Sequence, residues 1–205
     1  AGKGFWADDE SGRFAEFWNL VFTQFERQDG GKLISLKAKN IDTGMGLERL
    51  ACILQGKKNN FEIDIFQPIN NKIENLLGSA SQEFTAAGLK FYYNNLHLIA
   101  DHARAIVFAL TDGAIPSNEG RGYVLRRIMR RAMRHGRLLG MDEPFPHLLV
   151  PDLIRLMGGY FPELEAQRAV GMKVVENEEK RFAATLGGGL KHLEDAVRLI
   201  PGGGT

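Results

Sequence analysis

Between Ser117 and Arg137 the chain reads SNEGRGYVLRRIMRRAMRHGR, with seven arginines and a single acid, Glu119. From Tyr123 onward Leu125, Ile128, Met129 and Ala132 recur at i, i+3, i+4 and i+7, which is the period of an amphipathic helix with one apolar seam. The arginines fill the rest of its circumference. A solvated helix face normally alternates in sign, with acids four residues from its bases. Here no Asp or Glu lies between Arg121 and Gly140, although the chain as a whole balances 26 Lys+Arg against 25 Asp+Glu. Guanidinium stays ionised and forks onto phosphate oxygens, so this segment suits contact with a phosphate backbone. Arg121, Arg126, Arg127, Arg130, Arg131 and Arg134 are the candidate contacts. Asn118, in the turn-rich loop Ala114–Gly122, can both donate and accept, as base-edge reading requires; a cap or turn role is open to it too.

At 205 residues with 13 Phe, the chain can bury a substantial core. Cys52 is its one cysteine, which excludes a disulfide framework and a cysteine-built zinc site. Set in the helical run LERLACILQ, Cys52 is expected to be a core thiol, and a reducing, cytoplasmic setting fits. No stretch reaches membrane-span length and the start is no signal peptide. Both ends read as cut from a longer chain. His97 and His102 are spaced poorly for a helical metal pair, His135 is assigned to the basic face, and Asp101–Arg104 to a structural ion pair.

Residues 13–43 carry strand signals: RFAEFWNLVFTQFER, a QDGGK turn, and LISLKAKNID as one or two short strands ending near Asp42. Thr43-Gly44-Met45-Gly46 breaks that pattern, and residues 47–55 read as a helix. From Asp64 onward the signal is helical. A helix seamed by Ile69, Ile73, Leu76 and Leu77 comes first, then an apolar one in LHLIADHARAIVFALTDG, then the arginine helix. Two short proline-broken helices follow. A long helix from about 162 to 187 carries Asn177, Glu178, Glu179, Lys180 and Arg181 on its polar side, and a separate closing helix comes after. The fold class is α+β, divided at residue 62: a β-containing unit over 1–62 and a helical domain over 63–205.

The junction NIDTGMGLER, residues 40–49, ends a strand at a carboxylate and opens a helix after two glycines. Such a junction lets backbone and helix-start N–H groups approach a phosphate, with Arg49 beside them. Glycine-x-glycine before a helix is also a common tight turn.

IDTGMGLERLACILQ resembles motif 3 of the class II aminoacyl-tRNA synthetases in the form found among alanyl-tRNA synthetases. RFAEFWNLVFTQFER is similar to the strand pair preceding that motif. ADHARAIVFALTDGAIPSNEGRGYVLRRIMRRAMRHGRLLG is similar to the family's tRNA-recognition domain. The resemblance implies a remnant of the family's antiparallel sheet followed by the acceptor-stem domain. It implies that Asp42 holds the substrate ammonium, Trp18 walls the side-chain pocket, and Gly44 and Gly46 floor the adenylate site. Arg49 would be the catalytic arginine on ATP phosphate, Asn118 the reader of the G·U wobble pair, and Arg130 and Arg131 stem-facing arginines.

ATP with Mg2+, alanine and the tRNA for alanine are the implied ligands. No membrane partner and no metal held by this chain is implied, since the family's zinc site lies elsewhere. Motifs 1 and 2 are not found, so this piece is expected to lack activity by itself. The alternatives are a non-catalytic RNA-binding helical module and a protein-binding module that meets an acidic partner. Asp42, both glycines and Arg49 occurring together favours the synthetase.

Overall fold

A computed structural model describes residues 16–78 and 85–198. The sequence readings at 13–15, 79–84 and 199–205 lie outside the described residues. The chain divides between Ile63 and Asp64 into two units.

In the first unit, β1 (Trp18–Arg27) and β2 (Leu33–Met45) form a two-stranded antiparallel ribbon. The turn between them is closed by Gln28 N–H donating to Lys32 O at 2.9 Å, and Gly30 and Gly31 both adopt φ of +80°. Side chains with a Cβ resist that left-handed backbone, which is why a Gly-Gly pair stands there. Register runs regularly from Trp18↔Met45 to Thr23↔Asn40, then resumes at Phe25↔Ser35 with extra residues accommodated in β2. β2 is one strand and runs through Gly44 to Met45, three residues past the expected end at Asp42. Glycine weakens a strand by having no side chain to pack, but it leaves the ladder hydrogen bonds intact, and pairing with Asn19 carries the strand onward. Helix α1 (Leu47–Leu54) follows, with Glu48 in its first turn and Cys52 buried. The Cys52 thiol donates to Lys57 O at 3.1 Å, so it is a packed and satisfied group.

The second unit is helical throughout its described residues: α2 (Gln67–Leu77), α3 (Ala86–Thr111), α4 (Gly120–Leu138), α5 (Val150–Met157), α6 (Glu163–Ala166) and α7 (Arg168–Arg198). Pro68 opens α2, where a missing N–H costs nothing, and Thr85 Oγ1 caps α3 by accepting from Gly88 N. Ile69 and Ile73 of α2, Leu96, Ile99 and Ala100 of α3, Met129 of α4, Leu149, and Val175 of α7 are almost fully buried. Burying each large aliphatic side chain stabilises the fold by about 1.5–3 kcal/mol. Helix α3 packs against α4, and α7 crosses both α4 and the 3₁₀ turn Pro146–Leu149.

The helices depart from the sequence reading at three places. α4 starts at Gly120, inside the expected loop Ala114–Gly122. α3 starts at Ala86, well before the apolar run that announces it. The long helix expected from about 162 is divided at Gln167 into α6 and α7, and α7 then continues through Gly187-Gly188-Gly189 to Arg198, taking in the closing helix expected to be separate. Each glycine costs about 1 kcal/mol against alanine in a helix, a penalty the flanking turns outweigh without any backbone break.

Candidate nucleic-acid interface and nucleotide site

The loop into α4 is tightly folded. Ser117 N–H donates to Gly122 O at 3.1 Å and Ser117 Oγ donates to Glu119 O at 2.8 Å. A Cβ at Gly122 would sit 2.3 Å from both Ile115 O and Ser117 Oγ, so only glycine lets the loop close on the first turn of the helix. This fixes Asn118 just ahead of α4, exposed to solvent. Its side chain does not cap the helix; its Oδ1 accepts a hydrogen bond from Arg126 Nη1.

Along α4 the expected seam is inside. Leu125, Met129 and Ala132 are buried and Ile128 half-buried, and Met133 and Gly136 widen the stripe. The Phe145 ring lies against Gly136, where a Cβ would sit 2.2 Å from its Cε1. On the opposite side Arg127, Arg131 and Arg134 are exposed at i, i+4 and i+7. None of the three is ion-paired among the described residues; Arg127 lies over the Tyr123 ring at 5.8 Å. Arg121 is exposed at the mouth of an open cleft of about 600 Å³ between α3 and α4, lined also by Asp112, Ile115 and Val124.

The flank of α4 differs from the expectation of arginines free all round. Glu178 of α7, 3% exposed, lies against two of them: Arg130 Nε donates to its Oε1 at 2.8 Å, and Arg126 Nε stands 3.1 Å from the same oxygen. The Arg126 Nε contact is an ion pair without hydrogen-bond geometry, while its Nη2 donates to Pro116 O at 3.4 Å. Arg130 also lies over the Phe182 ring at 5.5 Å. Arg126 and Arg130 are therefore held by the protein itself, through a partner from a distant part of the sequence. Arg137, near the end of α4, meets Asp142 at 3.1 Å.

Helical period puts Glu178 and Glu179 on the polar side of their helix, yet both are buried. Seven arginines with no acid among them are the available hint: any carboxylate that compensates one of them has to come from outside the helix. Glu179 accepts from Phe145 N at 2.9 Å and faces His147 Nδ1 at 3.5 Å; burial pushes its carboxyl up to about 7. Asn95 is a further residue that sequence reasoning misses. It is buried in α3, and its Oδ1 lies 2.5 Å from His135 Nδ1. Burial first, then Arg134 and Arg131, depress the His135 pKa, and because an amide oxygen only accepts, Nδ1 is the donor to Asn95. Asp101 hydrogen-bonds the neighbouring His102 at 3.0 Å, which holds its carboxyl below the usual range, and Arg104 lies over the Phe66 ring at 4.7 Å.

In the ribbon unit, Asp42 pairs with Val21 and Gly44 with Asn19, while Trp18 sits opposite Met45. Side chains alternate along a strand, so Asp42 shares a face with Asn19 and Val21, and Trp18 points to the other face. The indole N–H of Trp18 there donates to Thr43 Oγ1. The register thus separates Trp18 from Asp42, against the expectation of one pocket. Asp42 Oδ1 accepts from Thr43 N at 2.9 Å. Gly44 and Gly46 keep ordinary backbone angles, and their smallness is what matters: a Cβ would lie 3.2 Å from Asn19 Oδ1 and 3.3 Å from Arg49 Cδ respectively. Arg49 is exposed at the start of α1 and its Nη1 donates to Glu16 O.

Among the described residues no group of three or more His, Cys, Asp or Glu is placed to hold a metal ion. No helix among them is long and apolar enough to cross a membrane.

The family profile of the tRNA synthetases of class II (A) matches residues 5–201. The chain is 56% identical over 190 residues to the alanine–tRNA ligase of Magnetococcus marinus, covering 93% of this chain and 21% of that protein. It is 50% identical over 200 residues to the alanine–tRNA ligase of Stenotrophomonas maltophilia, with 95% and 22% covered. With the alanine–tRNA ligase of Caulobacter vibrioides the identity is 49% over 198 residues, covering 96% and 22%. The chain thus spans about a fifth of the length of the curated relatives it matches.

Proposed function

Because this chain belongs to the tRNA synthetases of class II (A), we propose that it is the part of an alanine–tRNA ligase that supplies motif 3 and contacts the tRNA acceptor stem. In the whole enzyme the alanine carboxylate would displace pyrophosphate from the α-phosphorus of ATP to give an alanyl adenylate, and the alanyl group would then pass to the 3′ end of its tRNA with release of AMP. The observation that carries the stem contact is the row Arg127, Arg131 and Arg134, exposed along one face of α4 with no ion pair among the described residues. Three fixed positive charges on a rigid helix can neutralise successive phosphates and release their counterions. Contacts of that kind position a nucleic acid without reading its sequence, which leaves discrimination to a side chain such as Asn118.

For the nucleotide site, Asp42 is the proposed anchor for the alanine ammonium, on the ribbon face it shares with Asn19 and Val21. Gly44 and Gly46 keep the backbone low beneath the adenylate. Arg49 is the proposed phosphate ligand; by leaving Glu16 O it would bring its charge to the phosphate as negative charge builds in the transition state. Mg2+ fits no cluster among the described residues and is assigned to the phosphates of ATP.

Filter binding of an acceptor-stem minihelix, run beside ATP–pyrophosphate exchange with alanine, tests this reading. The expected result is minihelix binding that falls steeply with salt, and exchange only in a longer protein that also carries motif 2. Salt-independent binding, or no binding at low salt, overturns the stem contact.

A further inference from the structure

We infer that Glu178 is a positioning residue for the Asn118 side chain, acting through Arg126 from a helix that need not touch the RNA. This rests on the proposed reading of Asn118 as the side chain that distinguishes stem sequences.

Asn118 is exposed on a loop, where an amide side chain would ordinarily turn over freely and present its oxygen or its nitrogen with equal ease. Arg126 removes that freedom. Guanidinium has only donors, so the group it meets must be the oxygen Oδ1, and the Asn118 amide nitrogen is left facing outward. The reader thereby presents one fixed polarity.

Arg126 is a long side chain, and holding it in one place requires partners of its own. Its Nη2 reaches Pro116 O at 3.4 Å, and its Nε lies 3.1 Å from the carboxylate of Glu178, which is 3% exposed. Glu178 is anchored in turn by the 2.8 Å hydrogen bond from Arg130. The line from α7 to the loop is therefore continuous: Glu178, Arg126, Asn118.

Helix packing alone does not explain the arrangement. A buried ion pair stabilises no better than apolar residues of the same volume. Two guanidinium groups on one carboxylate also leave this cluster with a net positive charge. The arrangement makes sense if the second guanidinium has a separate task, which its contact with Asn118 supplies. With Glu178 neutralised, Arg126 and Arg130 stand as uncompensated like charges at i,i+4 and repel. Arg126 then swings to solvent and releases Asn118.

The test compares Glu178→Gln, Asn118→Ala and the double variant, using two minihelices that differ only in a G·U or G·C acceptor pair. One hydrogen-bonding side chain discriminates on the order of tenfold. Asn118→Ala should erase that ratio, Glu178→Gln should lower it to nearly the same level, and the double variant should lose nothing further. Arg126→Lys, which keeps charge and the Glu178–Arg130 pair but loses the fork, should behave like Glu178→Gln and guards against a folding defect. Without RNA, the Arg126 Nε–H should exchange slowly with solvent and the Asn118 amide should give one sharp pair of proton resonances. Both features should be lost in Glu178→Gln. Full discrimination in folded Glu178→Gln and Arg126→Lys, or an equal extra loss on adding Glu178→Gln to Asn118→Ala, overturns the positioning role alone. Discrimination that survives Asn118→Ala overturns the reading of Asn118 and this inference with it.

Discussion

Arg130 Nε donates to Glu178 Oε1 at 2.8 Å, joining two helices across 48 residues of sequence. The carboxylate is 3% exposed and the Arg130 side chain 34% exposed. Removing Glu178 strands two guanidinium groups beside the core, whereas removing Arg130 leaves Arg126 to compensate. Breaking one side of a buried pair costs about 3–5 kcal/mol, and Arg130 can partly re-solvate, which favours the lower end for Glu178→Ala. Urea unfolding should show this loss, with Arg130→Gln costing clearly less.

Gly136 decides how closely Phe145 approaches α4. Alanine is the better helix former by about 1 kcal/mol, but a Cβ here would lie 2.2 Å from the Phe145 ring. Overpacking of this kind costs about 1–3 kcal/mol, so Gly136→Ala is expected to lower the unfolding midpoint despite its propensity. Phe145→Leu in the same chain should recover part of the loss, because it removes the atoms that clash.

The exposed row on α4 should behave as a phosphate grip. Replacing Arg127, Arg131 or Arg134 by Gln is expected to weaken G·U and G·C minihelices alike. Each replacement should also lower the slope of log affinity against log salt by about 1, because one phosphate is no longer neutralised. Arg130, occupied by Glu178, should change that slope less than its neighbour Arg131. Measuring affinity at several salt concentrations for each variant separates the two groups.

Glu179 makes stability depend on pH in an unusual direction. Its carboxyl titrates near 7 in the folded chain against a reference of 4.5. Between those values the folded state keeps a proton that the unfolded state has lost, so stability is highest below pH 4.5 as far as this group is concerned. It falls as pH rises and levels off above 7. The groups around it are Phe145 N–H, His147, Arg137 and Glu176. Glu179→Gln keeps an acceptor for Phe145 and should flatten the unfolding midpoint between pH 5 and 8. Asp101, held low by His102, acts with the opposite sign and only in more acidic solution, so the two effects separate.

Much of the helical unit is legible in the sequence because its signals are local. Ile69 and Ile73 repeat at the spacing of one helical turn, and the Leu125–Ile128–Met129–Ala132 seam does the same; both face the core. The first turns of α3 are not legible, since Leu89, Phe91 and Tyr93 are exposed and burial begins only at Asn95. No seam exists there to be read. The opposed faces of Trp18 and Asp42 follow from strand register, and a shift of one residue would reverse them. Sequence resemblance names the residues of that site without saying which side of the ribbon each one takes.

By itself the sequence determined that the chain from Tyr123 onward forms a helix with one apolar side and a surplus of positive charge, because helical period and side-chain ionisation are properties of neighbouring residues. Only the tertiary structure decided how that surplus is divided. α7 crosses α4 with Glu178 turned inward, so Arg126 and Arg130 are bound into the protein while Arg127, Arg131 and Arg134 stay open to solvent. An ion pair between distant segments depends on the rotation of one helix against another. Packing of both helices sets that rotation, and no local pattern encodes it.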